Sequence, residues 1–199
     1  MSLQREPDKQ FRVGVIGDDG VGKSSFILSS KYGIFESNFG SADTTCVFNF
    51  EVRTQKFSLN AYEVDCSDTY AELRTLSYRD VDCFVVLFSY DSKESLIHAE
   101  RKWLKEIKAS LTDPLVIFVM TKQDLAQEKI SEEKKIVTEE YLEAIRVKPE
   151  FRFMFQCSSK SPESSKEVWT KIAETIFEQK KPKRKRKLST TEKIKSFFM

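Results

Sequence analysis

FRVGVIGDDGVGKSS, residues 11–25, is an apolar run (Phe11, Val13, Val15, Ile16) that ends in Gly17-x-x-x-x-Gly22-Lys23-Ser24 and passes into a helix-capable segment. Strand, glycine-rich loop and helix start in that order are the setting of a phosphate-binding loop. Gly17, Gly20 and Gly22 let the backbone curl so that successive N–H groups point inward, at the positive end of the following helix. In that arrangement Lys23 reaches the outer phosphates and the Ser24 hydroxyl ligates Mg²⁺.

Outward from this loop, strands and helices alternate. Strands are expected at 11–16, 46–53, 57–64, 82–88, 115–121 and 151–156, and helices at 23–31, 70–79, 92–110 and 163–178. Leu96, Ala99, Trp103, Leu104 and Ile107 recur at helical spacing, so one face of the third helix packs on a sheet. Trp103 and Trp169 read as core. The runs CFVVLF and LVIFVM are apolar without alternation, as in central strands covered on both faces. The expectation is an α/β fold with a six-stranded, mostly parallel, doubly wound sheet flanked by helices.

The chain has 199 residues, 40% of them hydrophobic, enough for one domain and a tail. No apolar run reaches eighteen residues, so no transmembrane helix is expected, and polar residues 1–10 do not suggest a signal peptide. Cys46, Cys66, Cys83 and Cys157 are scattered without metal-ligand spacing and read as buried, reduced thiols of a cytoplasmic protein. Residues 180–199 carry nine Lys or Arg and one Glu, a charge of +8, which leaves 1–179 at −6. The body therefore offers no case for binding nucleic acid. His98, the only histidine, reads as a surface residue.

Two loops at strand ends address the base. TKQD, 121–124, follows LVIFVM, where Asp124 can accept from the N1–H and 2-amino groups of guanine, a donor pair adenine lacks. The Lys122 stem would lie over the ring. In CSSK, 157–160, Ser158 buttresses the loop, the Ser159 N–H meets the guanine carbonyl, and the Lys160 stem covers the base. An ATP-dependent small-molecule kinase is disfavoured by TKQD and by the lack of an apparent lid.

With these motifs in order, residues 10–178 resemble the Ras superfamily of small GTPases, and within it the Rho family. YAELRTLSYRDVDCFVVLFS, 70–89, is similar to the Rho-type second switch and its following strand, and Asp91, Ser92, Ser95, Leu96, Lys102 and Trp103 continue the likeness. The resemblance implies a P-loop small G domain over 11–178, between a polar extension at 1–10 and a basic tail at 179–199. It implies phosphate contacts from Gly17, Asp19, Gly20, Val21, Gly22, Lys23, Ser24 and Ser25. Guanine contacts would come from Phe35, Thr121, Lys122, Asp124, Leu125, Ser158, Ser159 and Lys160. Mg²⁺ would be held by Ser24, by Thr44 or Thr45, and by Asp65 through water. GTP or GDP is the implied ligand, and effectors and exchange factors are the implied partners, met through switches around 43–48 and 65–79. Residues 131–145 would include an abbreviated insert helix.

Departures from the family pattern bear on catalysis. Where small GTPases carry Asp-x-x-Gly-Gln, this chain reads Asp65-Cys66-Ser67-Asp68-Thr69-Tyr70, two residues short. The missing glutamine orients the attacking water, a role established in Ras itself. Asp68 and Thr69 are the nearest side chains and lack its reach; an Asp68 carboxylate there would add repulsion. Asp19 stands where glycine is wanted, crowding the water and obstructing an arginine finger, which is worth about 10³–10⁵ in rate. Slow or absent hydrolysis is expected, in a signalling switch or in a non-cycling module that keeps nucleotide as structural support.

The tail has seven basic residues among 180–187 and ends Ser196-Phe197-Phe198-Met199, with serine where a prenylated cysteine would stand. Ser189 and Glu192 fit a capping box, placing Ile194, Phe197 and Phe198 on one face of a short amphipathic helix. Attachment to an anionic membrane surface, a nuclear localisation signal and a solvated tail remain the three readings.

Overall fold

The computed structural model describes residues 9–36, 44–127 and 136–180. Most of the N-terminal extension, most of the loop at 33–43, residues 128–135 of the insert region, and the basic tail from 181, where a short amphipathic helix was expected, lie outside the described residues.

Six strands form one sheet: β1 (Gln10–Gly17), β2 (Thr45–Val52), β3 (Gln55–Glu63), β4 (Cys83–Ser89), β5 (Val116–Thr121) and β6 (Met154–Gln156). Their order is β2-β3-β1-β4-β5-β6, and only the β2–β3 hairpin is antiparallel. From β1 the chain first crosses to the edge strand β2 and comes back as β3 beside β1, then adds β4 on the other side. The strand order thus reverses at β1, and the crevice at its carboxyl end is where such sheets bind ligands.

The two apolar runs behave as central strands must. In β4, Cys83, Val85 and Leu87 face one core while Phe84, Val86 and Phe88 face the other; in β5, Ile117 and Val119 oppose Val116, Phe118 and Met120. Helices α1 (Lys23–Tyr32) and α6 (Pro162–Gln179) cover the first face with Phe26, Ile27, Val168, Trp169, Ile172 and Ile176. Trp169 is stacked between Phe26 and Phe48, centroids 5.0 and 4.5 Å away. On the second face lie α3 (Lys93–His98), a π-helical turn (Ala99–Trp103), α4 (Leu104–Ser110) and α5 (Glu139–Arg146). Each fully buried Val, Leu, Ile or Phe contributes about 1.5–3 kcal/mol, so both runs are anchored on both faces.

Boundaries differ from expectation for local reasons. The segment expected as one helix over 70–79 is a 3₁₀ turn (Asp68–Tyr70), α2 (Ala71–Leu76) and a second 3₁₀ turn (Ser77–Asp80). The Ser77 hydroxyl donates to the Arg74 carbonyl at 2.7 Å, taking an acceptor at the helix end. Helix α3 starts at Lys93 because Ser92 is its cap, accepting from the Ser95 N–H at 3.1 Å. Strand β6 begins three residues late, because Pro149–Phe151 forms a 3₁₀ turn that stacks Phe151 on Phe118 at 4.1 Å. Within 131–145 the described helix is α5. Its Leu142 and Ile145 are buried in the second core, so it is the crossover between β5 and β6.

Candidate functional site

A cleft of about 540 Å³ opens at the carboxyl ends of β1 and β5, lined by Asp19, Gly20, Gly22, Lys23, Ser24, Ser25, Phe35, Glu63, Thr121, Lys122, Asp124, Leu125, Ser159 and Lys160. Its phosphate end is built by the loop after β1. A Cβ on Gly17 would meet the Leu87 carbonyl oxygen at 2.4 Å, so only glycine lets the loop leave β1 against β4. Gly22, with φ 92°, caps α1 in the left-handed region, and the Phe26 N–H returns to its carbonyl at 2.9 Å. The buried Lys23 ammonium donates to the carbonyls of Gly17 (3.1 Å) and Asp18 (3.0 Å), bridging the loop. Val21, expected at the phosphates, is buried in the first core, with its carbonyl accepting from Thr121 Oγ1 at 2.6 Å. Thr121 thereby ties the phosphate end to the base end.

The base end holds Asp124 between two donors. Ser158 Oγ donates to its Oδ1 at 2.6 Å, and Lys160 Nζ lies 2.9 Å from Oδ2. Each carboxylate oxygen carries two lone pairs, so Oδ1 and Oδ2 keep acceptor capacity for a ligand's N–H groups beside these two bonds. Burial alone would raise the Asp124 carboxyl, but the bonds from Ser158 and Lys160 outweigh it and hold the group below the usual carboxylate range. The Ser158 hydroxyl also accepts from the Lys160 N–H at 3.2 Å, so it is the buttress its position suggested. Lys122, at φ 58°, runs along the cleft to an ion pair with Asp91 (3.2 Å). Phe35 stands at the rim, 39% exposed.

Around the expected catalytic position the residues depart from expectation. Asp68 does not point at the phosphate end: its carboxylate pairs with Lys102 at 2.8 Å, which holds it below its ordinary value. The repulsion expected of it is therefore absent. Thr69 is exposed in the adjacent 3₁₀ turn. Asp19 does line the cleft, 3.9 Å from Lys23 Nζ, but its side chain is 96% exposed and accepts from the Cys66 thiol at 2.8 Å. Cys66 is thus no core thiol, unlike Cys46, Cys83 and Cys157. Burial and the Asp19 carboxylate push it up, and it stays protonated as the donor.

Asp65, Thr44 and Thr45 are not among the residues that line the cleft. The Asp65 carboxylate accepts from the Ser67 N–H at 2.8 Å. Thr44 is buried, its carbonyl accepting from the Glu63 N–H at 3.0 Å, and Thr45 is exposed as the first residue of β2.

Three features escaped sequence reasoning. Glu63 accepts from the Ser24 hydroxyl at 2.6 Å and lies 3.7 Å from Lys23 Nζ. Its signal was legible: Phe57, Leu59 and Ala61 face the first core at period two, and Glu63 continues that row with a carboxylate. Asp18 turns away from the cleft to accept from the Trp103 indole N–H (2.8 Å) and to pair with His98 Nδ1 (2.7 Å), so both residues brace the loop. Arg74, its side chain 1% exposed, bonds both oxygens of Glu106 (2.9 and 2.7 Å) and the Asp65 and Ser67 carbonyls (3.3 and 2.8 Å). Tyr78 donates to the same carboxylate at 2.6 Å. No local pattern announces that network.

Ser24 and Glu63 present hard oxygen donors of the kind Mg²⁺ takes, so the residues present fit that ion. Among the described residues no three His, Cys, Asp or Glu side chains converge as a metal cage, so phosphate oxygens would have to complete its shell.

A mostly parallel sheet reversing at β1, a glycine loop closed by Lys23 and an acceptor carboxylate beyond β5 define a nucleotide-binding α/β domain of the small G-protein kind. Residues 12–178 match the Ras family model, and the chain belongs to that family, in its Rho-like branch. It is 26% identical over 168 residues to the Rho-related protein racM of Dictyostelium discoideum (82% of this chain, 88% of the relative). It is 25% identical over 176 residues to the Ras-like GTP-binding protein RhoL of Drosophila melanogaster (88% and 90%). With the GTP-binding protein RHO4 of Eremothecium gossypii it shares 27% over 173 residues (86% and 66%).

Proposed function

We propose that this chain binds guanine nucleotide with Mg²⁺ and acts as a signalling switch whose GTP hydrolysis is slow or absent. The observation that carries the base assignment is the Asp124 carboxylate lining the cleft, an acceptor matched to guanine donors and held ionised by Ser158 and Lys160. Lys23 and the loop N–H groups would take the phosphates, with Ser24 on the ion.

The hydrolytic reading rests on what lies beside the phosphate end. The segment after β3 lacks the family's Gly-Gln, Asp68 is drawn to Lys102, and Asp19 and Cys66 stand at the mouth as a carboxylate and a protonated thiol. None of them is an amide able to orient water. Exposed Val47, Tyr70, Leu73 and Leu76 form the apolar part of the surface offered to effectors, and the basic tail would hold the protein on an anionic membrane face.

A second reading, a non-cycling module, is favoured by one feature: the second switch is tied down by Arg74 at the Asp65 and Ser67 carbonyls and by Lys102 at Asp68. Single-turnover hydrolysis of preloaded GTP tests the chemistry. A rate like that of ordinary Rho proteins refutes the deficiency, and an unchanged slow rate after inserting Gly-Gln between Ser67 and Asp68 together with Asp19→Gly refutes the cause assigned to it.

A further inference from the structure

The row of β3 that faces α1 ends in an ionisable residue where packing calls for an apolar one. Phe57, Leu59 and Ala61 are buried along it, and Glu63 follows at the point where α1 begins. Its side chain is 26% exposed, lines the cleft, and puts one oxygen 2.6 Å from the Ser24 hydroxyl and the other 3.7 Å from Lys23 Nζ. Both neighbours serve phosphate and cation in the proposed function. Asp65, two residues on, accepts from the Ser67 N–H with one oxygen and does not line the cleft.

Charge decides what such a group does. A carboxylate a few ångströms from the phosphates repels them, because like charges at that separation in a partly dry cleft are poorly screened. A divalent cation between carboxylate and phosphates turns that repulsion into two attractions, and one carboxylate with substrate phosphates is a usual way to hold Mg²⁺. The oxygen already on Ser24 is within reach of any ion that the hydroxyl ligates.

We infer that Glu63 is a direct, protein-supplied ligand of the divalent cation beside Ser24, and that it makes nucleotide binding more strictly cation-dependent than a neutral residue would. The inference rests on the proposed nucleotide site and concerns which side chain completes the ion's shell there. The ion supplies a positive centre for the phosphate oxygens. Glu63 orients Ser24 towards it and contributes a carboxylate oxygen.

The test compares the full chain with Glu63→Gln and Glu63→Leu. Glu63→Gln keeps an acceptor for the Ser24 hydroxyl and removes only the charge, so a merely structural role leaves it equal to wild type. In the GDP complex, Mn²⁺ affinity read by electron paramagnetic resonance should fall about tenfold or more in Glu63→Gln, the scale seen for residues that support a metal. GDP affinity should cross over: in excess Mg²⁺ wild type binds at least as tightly as Glu63→Leu, whereas in chelator Glu63→Leu binds tenfold or more tightly. Should Glu63→Leu fail to fold, Glu63→Gln carries the same crossover. Equal Mn²⁺ affinity, or equal cation dependence of GDP binding, overturns the inference alone. Failure of wild type and variants to bind GDP under either condition overturns the nucleotide reading and this inference with it.

Discussion

Replacing Glu106 by Gln should loosen the second switch and destabilise the whole domain by an amount the structure bounds. Arg74 is buried with two charge-assisted bonds to Glu106, and Tyr78 adds a third donor. The amide cannot accept from both guanidinium nitrogens, so a buried cation loses its counter-charge. Removing one partner of a buried pair costs about 3–5 kcal/mol. Glu106 is 21% exposed, which puts the expected loss at the lower end, about 3 kcal/mol. For a domain of this size each kcal/mol lowers Tm by about 2–4 °C, so the drop should be roughly 6–12 °C. Calorimetry on the nucleotide complex measures it. Arg74→Met with Glu106→Leu, which removes both charges, should recover most of the loss. A single-variant shift below about 2 °C, or a double variant worse than the single, refutes the reasoning.

The same carboxylate sets a pH dependence. Burial would raise Glu106, but hydrogen bonds from Arg74 and Tyr78 outweigh it and hold it below its ordinary value of 4.5. Stability from this group is therefore fully present above that value and is lost as pH falls through the lower, folded-state one.

Two further outcomes test the ends of the molecule. Asp124→Ala removes the acceptor for two guanine donors, each worth about 1.5–3 kcal/mol to a charged group. GDP affinity should fall roughly 10²–10⁴-fold with ADP binding unchanged; a parallel loss for both nucleotides, seen by calorimetry, would mean that Asp124 supports the loop and does not read the base. Liposomes containing anionic lipid should co-sediment the full chain but not one ending at residue 179, and equal recovery of both removes the membrane role of the tail.

Local chemistry announces itself in sequence when spacing along the chain equals spacing in space. The glycine loop is such a case, because strand end, turn and helix start are contiguous. Apolar runs such as CFVVLF were likewise readable as doubly covered strands, since both faces must be apolar whatever packs on them. The meeting of TKQD with CSSK was legible for a related reason: loops after parallel strands converge on one edge, so motifs that follow two strands meet.

Contacts between distant elements were not legible. That Asp68 turns to Lys102, that Asp18 is braced by Trp103 and His98, and that Arg74 reaches Glu106 depend on how a π-helical turn and two 3₁₀ turns rotate their side chains, and such turns carry no periodic signature. Sequence alone determined the sheet, the loop and the class of ligand, because these follow from neighbours in the chain. Only the tertiary structure decided which carboxylates face the phosphate end, because it takes the packing of β3 against α1 to bring Glu63 to Ser24.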